Sequence, residues 1–140
     1  MDPEREGIKL LSRYNHLKRR LEKTTALLLA LRGLGGPREK TEHSSFTTAK
    51  TASRISTESV IREIMRIAKE RESVLTELVS IEGKIEALPD RLMRLIQWRY
   101  ILFAKREAIA SRMGISIRHF SRLKKKALIL LGESVENLNS

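Results

Sequence analysis

Apolar residues follow a heptad pattern in two long segments of the first 88 residues. In residues 4–32 and again in residues 57–88 they recur at alternating steps of four and three. This is the spacing of the a and d positions of a coiled coil, so the pattern predicts two long helices with one buried stripe each. The positions are Leu10, Tyr14, Leu17, Leu21, Thr24, Leu28 and Leu31 in the first helix and Val60, Ile64, Ile67, Arg71, Val74, Leu78, Ile81, Ile85 and Leu88 in the second.

A segment rich in glycine, serine and threonine separates these two helices. Gly33, Gly35, Gly36 and Pro37 are expected to end the first helix, and residues 33–54 to form a flexible loop. Two helices of similar length joined by a loop predict a long antiparallel, coiled-coil-like hairpin over residues 1–88. The alternative is pairing between chains. Because two helices alone make a thin core, we also expect further association, most simply as a homodimer through the long helices.

The last third of the chain predicts shorter helices packed as a compact domain over residues 89–132. Pro89 ends the heptad pattern and suits the first turn of a new helix, which extends to about Leu102. A helix over residues 106–113 is expected to end at Gly114. A last helix over residues 117–131 is expected to stop at Gly132, leaving residues 133–140 as a tail. The predicted fold class is therefore all-α.

The two helices around Gly114 have the layout of a helix-turn-helix. Ala110, four residues before Gly114, allows close crossing, Gly114 suits the positive φ of the turn, and Ser116 is a good N-cap. The second helix of such a motif presents its early exposed side chains to the DNA major groove. The predicted base contacts are Ile117, Arg118, Ser121 and Arg122. The predicted phosphate contacts are Lys105, Arg106, Arg112, His119, Lys124, Lys125 and Lys126.

Charge is concentrated in the same part of the chain. The protein has 28 Lys and Arg against 17 Asp and Glu, a formal net charge of +11. Residues 91–127 hold eleven of the bases and a single acid, Glu107, and therefore carry +10 of that excess. A basic run is often only a solvated face, but this concentration in one segment favours a polyanion-binding module.

The segment from Glu107 to Leu128 also resembles a known family. Glu107-Ala108-Ile109-Ala110-Ser111-Arg112-Met113-Gly114-Ile115-Ser116, followed by Arg118-His119-Phe120-Ser121-Arg122-Leu123 and Lys126-Ala127-Leu128, is similar to region 4 of sigma-70-class factors, which reads the promoter −35 element. The wider layout, with Leu88-Pro89-Asp90 and Arg99-Tyr100-Ile101 ahead of it, resembles the ArpU-type transcriptional regulators of phages and prophages. Arg106-Glu107 stands where that family usually has an aromatic-acidic pair.

This resemblance implies a phage-type regulator that binds double-stranded promoter or operator DNA. It implies activation of late genes and recruitment of host RNA polymerase, and it assigns base contact to Ile117, Arg118 and Arg122. Two other functions stay open. One is a small-terminase-like DNA-packaging subunit, although such proteins usually place the DNA-binding part first. The other is a coiled-coil structural protein with a non-specific basic tail.

Other classes of function find little support in the sequence. There is no cysteine, and the three histidines are isolated from possible co-ligands, so we expect no metal and no cofactor. No nucleophile lies in a readable pattern with a His-acid pair, and we expect the protein not to be an enzyme. No apolar run approaches the length of a membrane span, which predicts a soluble protein in the cytoplasm of a bacterial host. Trp98 and Tyr100 are expected to belong to the core.

Overall fold

A computed structural model of the protein describes residues 2–35 and 56–139. These residues form five α-helices, one π-helical segment and no β-strand, so the predicted all-α class is confirmed. The helices are α1 (Pro3–Gly35), α2 (Thr57–Glu86), α3 (Asp90–Ile96), α4 (Arg106–Met113) and α5 (Ile117–Asn139), and the π-helical segment (Gln97–Ile101) follows α3.

The heptad positions of both long helices face the interior. In α2 and the two residues after it, all of them are buried except Ile64 and Arg71, which are half-buried. In α1, Tyr14, Leu17 and Leu28 are buried, and so is the polar Thr24. The Thr24 hydroxyl donates to the main-chain oxygen of its own helix at Arg20, 3.0 Å away, so its burial leaves no polar group unpaired. The sequence pattern therefore identified the stripe of α2 well and that of α1 in part, since Leu10, Leu21 and Leu31 are half-buried and Leu11, which was not predicted, is buried.

Contacts along the chain divide it into two compact units. The first unit comprises Met1–Leu17 and Glu77–Ser140, and the second comprises Lys18–Thr76. This division differs from the predicted boundary after Leu88, because the first part of α1 and the last part of α2 belong to the same unit as the C-terminal helices. Asn15 of α1, for example, donates a side-chain N–H to the main-chain oxygen of Tyr100 at 3.0 Å.

In the second unit, polar contacts connect α1 and α2. Arg20 forms an ion pair with Glu70, and the Arg71 Nε donates to the Thr25 hydroxyl at 2.8 Å. Arg71, the polar residue in the stripe of α2, thus has a partner on α1. The antiparallel course of the two helices over residues 1–88 stays a prediction.

Two glycines of the first unit allow α1 and α5 to touch backbone to backbone. A Cβ on Gly7 would lie 2.2 Å from the main-chain oxygen of Leu128, and a Cβ on Gly132 would lie 1.8 Å from that of Pro3. Both distances are far inside van der Waals contact, so only glycine fits at either place. Gly132 was predicted to stop the last helix, with a tail from residue 133, and this was wrong. α5 continues through Gly132 to Asn139, because the glycine serves close packing and not termination.

The first helix extends slightly further than residues 4–32. α1 continues through Gly33 to Gly35, the last residue of the first described range, and so reaches into the glycine cluster that was predicted to stop it. Gly36, Pro37 and the rest of the predicted 33–54 loop lie outside the described residues. Within the described ranges, none of the helices combines the length and the apolar character needed to cross a membrane.

Candidate nucleic-acid interface

A glycine turn joins α4 to α5. Gly114 has φ 69° and ψ 36°, the left-handed conformation that ends a helix at little cost only when the residue is glycine. The N–H groups of Gly114 and Ile115 donate to the main-chain oxygens of Ser111, at 3.1 Å, and Ala110, at 2.9 Å. These bonds satisfy carbonyls at the end of α4, so the turn is closed and specific. Residues 106–113 form α4 and Gly114 ends it, as predicted.

Ser116 caps the first turn of α5. Its hydroxyl oxygen accepts the N–H of His119 at 3.0 Å, and its main-chain oxygen accepts that of Phe120 at 2.9 Å. This is the N-cap arrangement that the sequence predicts at Ser116. The cap fixes where α5 begins and therefore which of its residues are the first to project from the turn.

One side of α5 is buried against the rest of the first unit. Phe120, Ala127, Leu128 and Leu131 are buried, and Ile109 and Ala110 of α4 are buried as well. Leu123 and Leu130 are half-buried on the same helix. With this side fixed by packing, the remaining side of α5 is presented to solvent.

Four polar residues share the exposed side of α5. Arg118, Ser121, Arg122 and Lys125 are all exposed and line one shallow depression. Their spacing of three and four residues places them on one face of the helix. Three of the four predicted base contacts thus lie together, and Lys125, predicted to contact phosphate, lies one turn further along the same face. We call this set the α5 polar face.

Ile117, the fourth predicted base contact, precedes the α5 polar face. It is the first residue of α5 and is 36% exposed, although its side chain is apolar. An exposed apolar side chain at the start of this helix could contact the methyl group of a thymine. It does not line the depression formed by the other four residues.

The predicted phosphate contacts differ in exposure and in their partners. Lys105, Arg106, Arg112, Lys125 and Lys126 are exposed, whereas His119 and Lys124 are half-buried. Arg106 forms an ion pair with Glu107 at 3.0 Å. Arg112 lies over the ring of Trp98, with 5.6 Å from its guanidinium carbon to the ring centroid. No ion pair in the described part of the chain involves Lys105, Lys124, Lys125 or Lys126, so their charges are uncompensated there.

Glu107 is the one acid of the basic segment. The hydrogen bond from Arg106 is the main cause that lowers the pKa of Glu107, and the main-chain N–H of Glu107 adds to it. Glu107 therefore stays ionised at neutral pH and neutralises Arg106 in particular. Of the predicted phosphate contacts, Arg106 is the one that forms an ion pair among the described residues.

Two basic residues near this interface were not among the predicted DNA contacts. Arg91 and Arg94 lie on α3, and they line one cavity together with Trp98 and Arg112. Their spacing of three residues on a predicted helix was a visible signal. Trp98, expected in the core, is only half-buried and lies at this surface.

The described residues contain no group of three or more His, Asp or Glu side chains placed to hold a metal ion. Comparison of the chain with protein-family models, with curated proteins and with solved structures gives no match.

Proposed function

We propose that the protein is a sequence-specific, DNA-binding transcriptional regulator of the phage or prophage type. The observation that carries this proposal is the α5 polar face, which begins directly after a closed glycine turn and a Ser116 cap. A helix held in this way on a compact unit can enter the major groove, which is wide enough for an α-helix.

Arg118 and Arg122 are the residues to which we assign sequence reading. A guanidinium group can donate two hydrogen bonds to O6 and N7 of one guanine, which no other base offers in the same geometry. Both arginines are exposed, and neither is in an ion pair among the described residues. They are therefore free to reorient toward a base without first breaking a salt bridge.

The surrounding lysines supply binding energy without sequence preference. Lys124, Lys125 and Lys126 lie on the reading helix and Lys105 directly precedes α4, and phosphate contacts of this kind orient a protein on the duplex. Activation of late genes and recruitment of host RNA polymerase are the parts of the proposal that the resemblance to ArpU-type regulators and to sigma region 4 supports.

The direct test is a mobility-shift titration of the full chain. Duplexes recovered from a random library by binding to the protein are compared with shuffled duplexes of the same composition, at one fixed salt concentration. Regulators bind their own sites about 10³-fold or more tightly than other DNA, so we expect a large difference. Equal affinity for both duplexes, with a steep salt dependence, would instead support the non-specific basic protein.

We also propose that the chain forms a homodimer through the second unit. Ile61 and Met65 lie one turn apart on one face of α2 and are 51% and 65% exposed. Apolar side chains repeated along the outer side of a two-helix unit suit burial against a second copy. A regulator that dimerises can bind two half-sites of one operator.

Analytical ultracentrifugation tests the dimer. The full chain is expected to sediment as a dimer at micromolar concentration, and the variant Ile61→Glu with Met65→Glu as a monomer with unchanged helix content. The matched control is Ser73→Glu, an exposed position of the same helix outside this apolar pair. A monomeric wild-type chain, or a double variant that still dimerises, would contradict this part of the proposal.

A further inference from the structure

A second basic surface lies beside the glycine turn, on the elements that precede it. Asp90, Arg91 and Arg94 of α3, Trp98 of the π-helical segment, and Arg112 and Met113 of α4 line one shallow cavity of about 360 Å³. We call it the α3 arginine surface. Arg112 and Met113 form the last turn of α4 directly before Gly114, so this surface adjoins the turn that leads into α5.

The charge of the α3 arginine surface is strongly positive. Three guanidinium groups line it against one carboxylate, that of Asp90, which lies in the first turn of α3. None of the three arginines is in an ion pair within the described ranges, and all three are exposed. A concave surface with an excess of unpaired guanidinium groups attracts a polyanion.

The contact of Arg112 with Trp98 orients its guanidinium group before an anion binds. Its guanidinium lies over the indole of Trp98, a cation–π contact that limits its side-chain freedom. A guanidinium held by one face keeps its N–H edge available for paired hydrogen bonds to phosphate oxygens. Less conformational entropy is lost when such a group binds, which suits a regular array of phosphates.

We propose that the α3 arginine surface binds the sugar–phosphate backbone of the duplex outside the segment that α5 contacts. This inference rests on the proposed function, since it assigns additional contacts to the same DNA. Arg91, Arg94 and Arg112 each contact a phosphate, and Trp98 becomes covered by DNA. The surface thereby adds backbone contacts to those made from α5.

The protein contains a single tryptophan, so tryptophan fluorescence reports on Trp98 without interference from other positions. The full chain is titrated with a mixed-sequence duplex of about 30 base pairs, long enough for phosphates on both sides of α5. Acrylamide, an uncharged quencher, then measures the exposure of Trp98. We expect bound DNA to lower the quenching constant severalfold.

A double variant provides the second readout. Arg91→Ala with Arg94→Ala removes two phosphate contacts, so the slope of log K against log salt should become shallower by about 1.8. The quenching constant of Trp98 in the complex should also move toward that of the free protein. The matched control is Arg19→Ala with Lys23→Ala, which removes the same charge from exposed positions of α1 and should leave the slope and the protection unchanged.

Each contrary result has a separate meaning. Wild-type protein that binds the duplex while Trp98 stays fully quenchable would overturn the α3 arginine surface and leave the proposed function intact. A double variant with the wild-type slope would do the same. Equal protection of Trp98 by poly-glutamate would reassign the surface to acidic peptides. A wild-type chain that binds no duplex at all would overturn the proposed function together with this inference.

Discussion

At the scale of single residues, two glycines decide how α1 and α5 meet. Gly7 and Gly132 place the backbone of one helix against a main-chain oxygen of the other, with Leu128 and Pro3 as the residues in contact. Glycine in a helix interior costs roughly 0.5–1 kcal/mol relative to alanine, so two such positions are retained at a cost in local helix stability. The absence of side chains at these two positions allows the two helices to pack closely.

Gly132→Ala is therefore expected to destabilise the protein despite the better helix propensity of alanine. Because the new methyl group would meet backbone and not a movable side chain, α1 and α5 must separate, and we expect a net loss of about 1–3 kcal/mol in the free energy of unfolding. Urea denaturation followed by circular dichroism measures it.

Gly83→Ala is the matched control for this substitution. Gly83 also lies inside a helix, but a Cβ there would have no atom within 4 Å. Alanine at this position should stabilise the protein by about 0.5–1 kcal/mol. Equal stabilisation by both substitutions would show that α1 and α5 do not touch at Gly132.

At the scale of elements, the turn between α4 and α5 determines which side of α5 faces solvent. Gly114 reverses the chain in a left-handed conformation, and Ser116 starts the next helix with a side-chain hydrogen bond. Phe120, four residues after Ser116, is buried. The start of α5 and this buried position together determine the direction in which Arg118 and Arg122 project.

Ser116→Ala is expected to lower the free energy of unfolding by about 1 kcal/mol, because the N–H of His119 loses its acceptor. Ser116→Asp should retain most of the stability, since a carboxylate also caps a helix. Ser80→Ala, at an exposed position within α2, is the control and should change stability by a few tenths of a kcal/mol. Thermal denaturation compares the three variants, and a Ser116→Ala protein as stable as wild type would refute the capping role.

The sequence predicted these elements well where the determining residues are local. Gly114 and Ser116 mark the end of α4 and the start of α5 by their own conformational preferences, and both boundaries are correct. Gly132 misled the prediction because a glycine in a sequence can signal either a helix end or a close contact. At Gly132 it is the close contact with the main chain of Pro3, a residue far away in the sequence, that identifies the glycine as a packing position.

The conformation of the segment after α3 could not be predicted either, because it also depends on residues that are distant in the sequence. The π-helical turn at Gln97–Ile101 has its Tyr100 oxygen bonded by Asn15, which is 85 residues away in the chain. Phe103, next to this segment, has φ 56°, a conformation that its residue type gives no reason to expect. The cavity that unites Arg91 and Arg94 with Arg112 likewise exists only once α3 and α4 are packed.

At the scale of the whole molecule, the net charge of +11 separates into two kinds of contribution. In the proposed function, the lysines and the α3 arginine surface attract phosphate independently of sequence and in a salt-sensitive way. Arg118 and Arg122, on the exposed side of a capped helix, are proposed to discriminate between sequences. These two contributions predict different responses to mutation, which allows them to be measured separately.

The decisive measurement is the ratio of affinities for the preferred and the shuffled duplex, compared among four proteins at one salt concentration. Arg118→Ala and Arg122→Ala should each lower this ratio by a factor that corresponds to about 1–3 kcal/mol of binding free energy, because a bidentate contact with guanine is lost. Lys125→Ala should weaken binding to both duplexes about equally and leave the ratio unchanged, as a phosphate contact does. Parallel losses on both duplexes for all three variants would contradict the assignment of α5 as the helix that reads DNA sequence.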